Sequence, residues 1–205
     1  MMIKPKHSIR GLLLLLLAFA MINAKLLLPI RNQHAAARTI DQLGGAYWYQ
    51  HEVTKSNPPG PKLLRRWVGD YFFARIYGVD LGDAELDSRV PGLLARLDGL
   101  SELLLYDTSI DDDDVRRFCQ MRSLTVLDLG GTQISDAALL SIMKCRNLEV
   151  LNLNFTSVTD GGLIQLVELN SLRRLEISGS NVSPAGVRRF QDMRPNVQIC
   201  YADQI

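Results

Sequence analysis

LEVLNLNFTSVTDGGLIQLVELNS, residues 148–171, decides how this chain folds. It opens with apolar residues at its first, fourth and sixth positions, Leu148, Leu151 and Leu153, and that alternation belongs to a strand with one buried face. A hydroxyl at Thr156 and the pair Thr159 and Asp160 come next. Then Leu163, Leu166 and Leu169 recur at the interval of one helix face. The phrase restarts every 24 residues, at Ile76, Leu100, Leu124, Leu148 and Leu172, so one strand-and-helix unit is written five times between residues 76 and 196.

Identical units stacked in chain order predict a parallel sheet on one side and helices on the other. Strands sit about 4.8 Å apart whereas packed helices need about 8–10 Å, so the stack bends with the sheet on its inner, concave side. Positions four and six of each unit are the core-facing pairs Val79/Leu81, Leu103/Leu105, Leu127/Leu129, Leu151/Leu153 and Leu175/Ile177. Position nine holds Thr108, Thr132, Thr156 and Ser180, hydroxyls placed where the chain leaves the sheet and backbone groups need partners. Position twelve holds the N-cap types Asp87, Asp111, Ser135, Thr159 and Ser183. Asp112, Asp136 and Asp160 follow them, opposing the positive end of the helix dipole, and Pro184 takes that place in the last unit. The first unit, with Ala84 and Pro91 in repeat positions, is degraded as an end unit is expected to be.

Upstream of the repeats the composition changes sign. Residues 1–75 hold eleven Lys/Arg against three Asp/Glu, and residues 76–205 hold twelve against nineteen, although the whole chain of 205 residues is nearly neutral at +1. The acidic repeats exclude a nucleic-acid footprint. Lys4, Lys6 and Arg10 precede an apolar run over residues 12–22, which reads as a secretory signal with Ala18-Phe19-Ala20 as its cleavage site. Continued through Leu26, Leu27 and Leu28 to Ile30, it reads instead as an uncleaved anchor of about 20 residues. Either reading carries the repeats out of the cytoplasm: one leaves them tethered to a membrane in a single pass, the other releases them to the periplasm or medium.

The expected organisation is therefore an N-terminal hydrophobic helix over residues 1–30, a juxtamembrane and capping segment over 31–75, and the repeats over 76–205. Within the middle segment, residues 31–43 have helical spacing ended by Gly44 and Gly45, and Tyr47, Trp48, Tyr49 and Val53 are strand-prone. In a second helix, Leu64, Trp67, Val68, Tyr71 and Phe72 form a stripe expected to cover the open end of the stack.

These residues resemble the leucine-rich repeat superfamily, in the 24-residue form related to cysteine-containing and ribonuclease-inhibitor repeats. The resemblance covers about 120 residues and rests on several positions that recur in phase. The layout is also similar to small bacterial membrane-anchored proteins of this class, through Leu43-Gly44-Gly45 and Gly69-Asp70-Tyr71-Phe72-Phe73. What the resemblance implies is an α/β solenoid that serves as a scaffold for protein partners, with no catalytic residues and no cofactor. It has far fewer repeats than the ribonuclease-inhibitor proteins, so deep enclosure of a partner is not expected.

The chemistry-bearing residues point the same way. His7, His34 and His51 all lie outside the repeats, leaving the solenoid without a histidine for a triad or a metal. The run from Asp111 to Asp114 reads as an N-cap and a solvated first turn rather than a calcium site. Cys119, Cys145 and Cys200 fall in different phases and read as small apolar residues. Binding is expected on the outward positions three, five and seven of the strands: Glu102, Leu104, Tyr106, Val126, Asp128, Asn152, Asn154, Arg174 and Glu176, with Phe155 at the rim. Its acidic groups favour a basic protein partner, and Gly78, Gly82 and Gly130 are expected to leave room for that partner's side chains. On this pattern Asn152→Asp, facing outward, is expected to be nearly silent. The alternatives are a substrate-recognition subunit resembling the repeat halves of F-box proteins, and an enzyme built on His51, Glu52 and Tyr47.

Overall fold

The computed structural model describes residues 27–119 and 121–202; the apolar run at residues 12–22 lies outside them. Among the described residues no helix is long and apolar enough to cross a membrane. Seven strands form one sheet in strict chain order. Helix α1 (Leu28–Gln42), strand β1 (Ala46–Tyr49), the turn of helix α2 (Gln50–Val53) and helix α3 (Lys62–Val68) precede the repeats.

The five units supply β2 (Ile76–Asp80) with α4 (Val90–Leu94), β3 (Glu102–Leu104) with α5 (Asp112–Phe118), β4 (Val126–Asp128) with α6 (Asp136–Ile142), β5 (Val150–Asn152) with α7 (Asp160–Gln165), and β6 (Arg174–Glu176) with α8 (Pro184–Met193). Strand β7 (Gln198–Cys200) closes the array. From β2 onward every pairing is parallel and in register: Val79, Leu103, Leu127, Leu151, Leu175 and Ile199 stand side by side. Leu103, Leu127, Leu151 and Leu175 are fully buried, as the period-two pattern requires. The position-nine hydroxyls are buried too, and each donates to the carbonyl three residues back: Thr108 to Leu105 at 2.6 Å, Thr156 to Leu153 at 2.8 Å and Ser180 to Ile177 at 2.7 Å.

Asp111, Ser135, Thr159 and Ser183 cap their helices by accepting first-turn amide hydrogens. Asp87 departs from that pattern: it sits outside α4 and holds the backbone and guanidinium of Arg89. The aspartates that follow the caps do more than oppose a dipole. Asp136 accepts from the amide (2.8 Å) and hydroxyl (2.6 Å) of Thr159, the cap of the next unit, and Asp160 does the same to Ser183 at 2.7 and 2.6 Å. Asp112 likewise holds Ser135 at 2.9 and 2.5 Å. From α5 to α8 each helix is thus latched to its successor by a carboxylate accepting two hydrogen bonds. At the interfaces below α7 and α8 the carboxylate occupies the space where a Cβ on Gly162 or Gly186 would lie, 2.1 Å from Asp136 Oδ1 and Asp160 Oδ1 respectively.

The open end is covered differently from the expectation. In α3 no residue is buried, and Leu63 and Trp67 are 81% and 87% exposed, so the stripe on that helix is not the cap. Instead β1 pairs antiparallel with β2 and satisfies the edge that the first repeat presents, while α1 buries Ala36, Ala37 and Ile40 against the core. Buried Gln33 completes the joint, its Oε1 accepting from Ile76 N at 2.7 Å. An edge strand needs a backbone partner before it needs apolar cover, and only β1 supplies one. Gly44, at φ 74°, ends α1 in the left-handed conformation and turns the chain into that pairing.

Candidate functional site

The outward positions assemble into rows across the sheet. One row runs Gly78, Glu102, Val126, Val150, Arg174, and the next runs Asp80, Leu104, Asp128, Asn152, Glu176. All ten expected residues lie on this face or at its rim, and five of them, Asp128, Asn152, Asn154, Arg174 and Glu176, have side-chain partners within the chain. Asp128 accepts from Gly130 N at 2.9 Å and from Asn152 Nδ2 at 3.0 Å. Glu176 accepts from Arg174 Nε at 2.8 Å and from Asn154 Nδ2 at 3.2 Å, and Asn154 Oδ1 takes Ser178 N at 2.7 Å. Burial pushes the Asp128 carboxyl up, against the lowering effect of its two donors, and Glu176 and Asp107 push the same way as burial.

Two glycine gaps are already filled. The Trp48 indole lies over Gly78 and the Tyr106 ring over Gly82, where a Cβ would fall 2.0 Å from either ring, so neither gap is open to a partner's side chain. Spacing along the chain cannot show this, because each filler comes from the neighbouring strand. The nearly silent change expected at Asn152 is not what its contacts favour: aspartate there would replace the donor to Asp128 by a second carboxylate.

Tyr106 stands in an acidic surround. Its hydroxyl is pushed up first by Asp80, then by burial and by Asp83, Asp128 and Asp107. Asp80→Asn is expected to bring the Tyr106 titration back toward the ordinary tyrosine range, checked by a residue-assigned NMR titration; an unchanged curve would mean that the carboxylates do not set the potential here.

At the rim, position eight is left-handed in every unit: Asp83 (φ 58°), Asp107 (φ 53°), Gly131 (φ 69°), Phe155 (φ 55°) and Gly179 (φ 71°). Asparagine-like and glycine residues suit that conformation and a phenylalanine does not. Phe155 is nonetheless 71% exposed, its ring leaning over Gly179.

The four adjacent aspartates each have separate work. Asp111 caps α5, Asp112 latches Ser135, and Asp113 and Asp114 pair with Arg116 at 2.9 Å and Arg117 at 3.3 Å. Cys119, Cys145 and Cys200 are free, with the first two buried in adjacent units; the Cys145 thiol donates to the Cys119 carbonyl at 3.5 Å. In the polar cluster beside α2, Glu52 accepts from Tyr49 N at 2.9 Å. Burial, Tyr47, Glu52 and Asp41 push the Tyr49 hydroxyl up to about 12, so it stays protonated at neutral pH.

Residues 120–143 and 144–167 each match the family model described as Leucine Rich repeat. Together with the strand-and-helix units in register, this makes the solenoid one of leucine-rich repeats. No curated protein matches the chain. Among solved structures, an internalin from Listeria monocytogenes is 23% identical, over 55% of this chain and 32% of its own length, with a TM-score of 0.45. A Leptospira interrogans LRR protein is 22% identical, over 54% of this chain and 33% of its own length, at 0.40. The LRR ectodomain of the receptor kinase SOBIR1 from Arabidopsis thaliana is 16% identical, over 83% and 91%, at 0.44. The chain thus spans about a third of the length of the two bacterial structures.

Proposed function

We propose that this chain is a non-enzymatic scaffold, tethered to a membrane through residues 1–30 with the repeats outside the cytoplasm, that holds a basic segment of a partner protein across the open sheet face. Leucine-rich repeats generally serve as protein-interaction scaffolds, because stacking sets outward side chains in rows that a partner can follow. The acidic surround of Tyr106 gives that segment its charge preference. The observation that carries the reading is Phe155, an exposed ring held in a backbone conformation that costs about 1–3 kcal/mol and that the other units give to aspartate or glycine. Beyond its lean over Gly179 the ring is left largely to solvent, and an interface is anchored by rigid aromatic groups of this kind.

Phe155→Gly separates the two roles. Thermal unfolding of the variant is expected at or above the wild-type midpoint, since the strain is relieved. Binding to a partner captured by the full chain from detergent-solubilised cells is expected to weaken by roughly 1–3 kcal/mol. Asp128→Lys should weaken it most at low salt, and Arg189→Ala, on the exposed helix side, should leave it unchanged. Loss of binding on the helix side with an intact affinity in Phe155→Gly and Asp128→Lys would overturn the reading.

A further inference from the structure

Eight of the eleven large hydrophobic residues exposed among the described ones lie between Leu27 and Tyr71, ahead of the repeats. Leu63 (81%), Leu64 (51%), Trp67 (87%) and Val68 (45%) crowd onto the two turns of α3, and Leu28 (51%) opens α1. A cavity of about 580 Å³ is lined by Pro29, Ile30, Leu64 and Phe73, which puts the start of α1 and the exposed helix on one side of the molecule. Exposed Lys62 and Arg66 are interleaved with the apolar residues, and residues 1–75 carry the excess of positive charge. We infer that this face, Leu28 with Leu63, Leu64, Trp67 and Val68, lies in the surface of a bilayer with anionic headgroups and holds the repeats in a fixed attitude to it.

Three observations favour lipid as the occupant. The chain that leads into Leu27 carries the apolar run at residues 12–22, so the patch sits where a tether would leave the bilayer. Indole, leucine and basic side chains on one short element match the boundary between acyl chains and headgroups, where Trp keeps its N–H wet and Lys or Arg meets phosphate. The net charge around the patch is positive, in contrast to the acidic repeats, which would be repelled from the same surface. The inference rests on the tethering proposed above, and its test reads the two separately.

The chain holds two tryptophans, so Trp48→Phe leaves Trp67 as the single reporter while keeping a ring over Gly78. The full chain carrying that substitution is mixed with vesicles of phosphatidylcholine alone or with phosphatidylserine. Flotation reports the tether; the emission maximum of Trp67 and its quenching by brominated acyl chains report the patch. Expected are flotation, a blue-shifted Trp67 quenched by the brominated lipid, and a stronger effect with phosphatidylserine. Lys62→Gln and Arg66→Gln should each shift the balance of inserted Trp67 by roughly fivefold. Leu63→Asn should reduce quenching without changing the circular dichroism. Flotation with Trp67 still open to aqueous iodide overturns the inference and leaves the tether standing. Shielding of Trp67 before vesicles are added overturns it too, in favour of residues 1–26 or a second copy as the cover. Absence of flotation sinks both.

Discussion

Leu151→Asp is expected to lower the stability of the repeats by roughly 3–5 kcal/mol, enough to unfold a domain of ordinary stability at moderate temperature. Leu151 is fully buried between Leu127 and Leu175 in the middle of the stack. The change forfeits about 1.5–3 kcal/mol of apolar burial and leaves a carboxylate without a partner. Burial raises the folded-state pKa of such a group, so the penalty is largest above that raised value. It shrinks as pH falls through that raised value, so urea midpoints at pH 7 and pH 5 should differ more from wild type at pH 7. Asn152→Asp, one residue away, should lose much less and recover with added salt, since its carboxylate meets Asp128 at the solvated face. Equal losses at the two positions would mean that the inward and outward phases are misassigned.

A second large effect reverses the usual rule for glycine in a helix. Ala is the better helix former by about 1 kcal/mol, yet Gly162→Ala should destabilise by about 1–3 kcal/mol. The added Cβ falls 2.1 Å from Asp136 Oδ1 and 2.8 Å from a Leu139 methyl. It must displace the latch that holds Thr159. Asp136→Ala should by itself cost about 1.5–3 kcal/mol, the usual loss for hydrogen bonds to a charged acceptor. The two changes together should cost less than their sum, because removing the carboxylate removes the two closest atoms the methyl group would meet. Additive losses in a chemical-denaturation cycle would detach Gly162 from the latch.

The stack was legible because its phase is written several times over: an inward residue at Leu127 is confirmed by Leu103 and Leu151 at the same position. The cap is written once, and there the apolar stripe on residues 64–72 pointed to the wrong element. What fixes the cap is a backbone row on β1, together with the turn at Gly44, and hydropathy does not report unpaired amides. The aspartates after each N-cap show another limit. A carboxylate in a first turn answers the helix dipole whatever else it does, so only the register between neighbouring units reveals the second role of Asp112, Asp136 and Asp160. The candidate site divides likewise. Its rows follow from the strand period, whereas the rings over Gly78 and Gly82 and the left-handed backbone of Phe155 depend on cross-strand neighbours and turn geometry.

The latch also governs how the array can change in length. Each of the three latched joints uses an aspartate from one unit and a Ser or Thr amide and hydroxyl from the next, both carried at fixed places in the 24-residue phrase. A copy of residues 148–171 inserted in tandem would therefore bring Thr159 to meet the carboxylate before it and Asp160 to meet the cap after it. The last unit cannot hand the joint on, because Pro184 stands where the next aspartate would be. At the other end, antiparallel β1 has no counterpart in the repeat. A tandem copy among the middle units would thus keep a latch at every new joint, whereas a copy placed after the last unit would be joined to it without one.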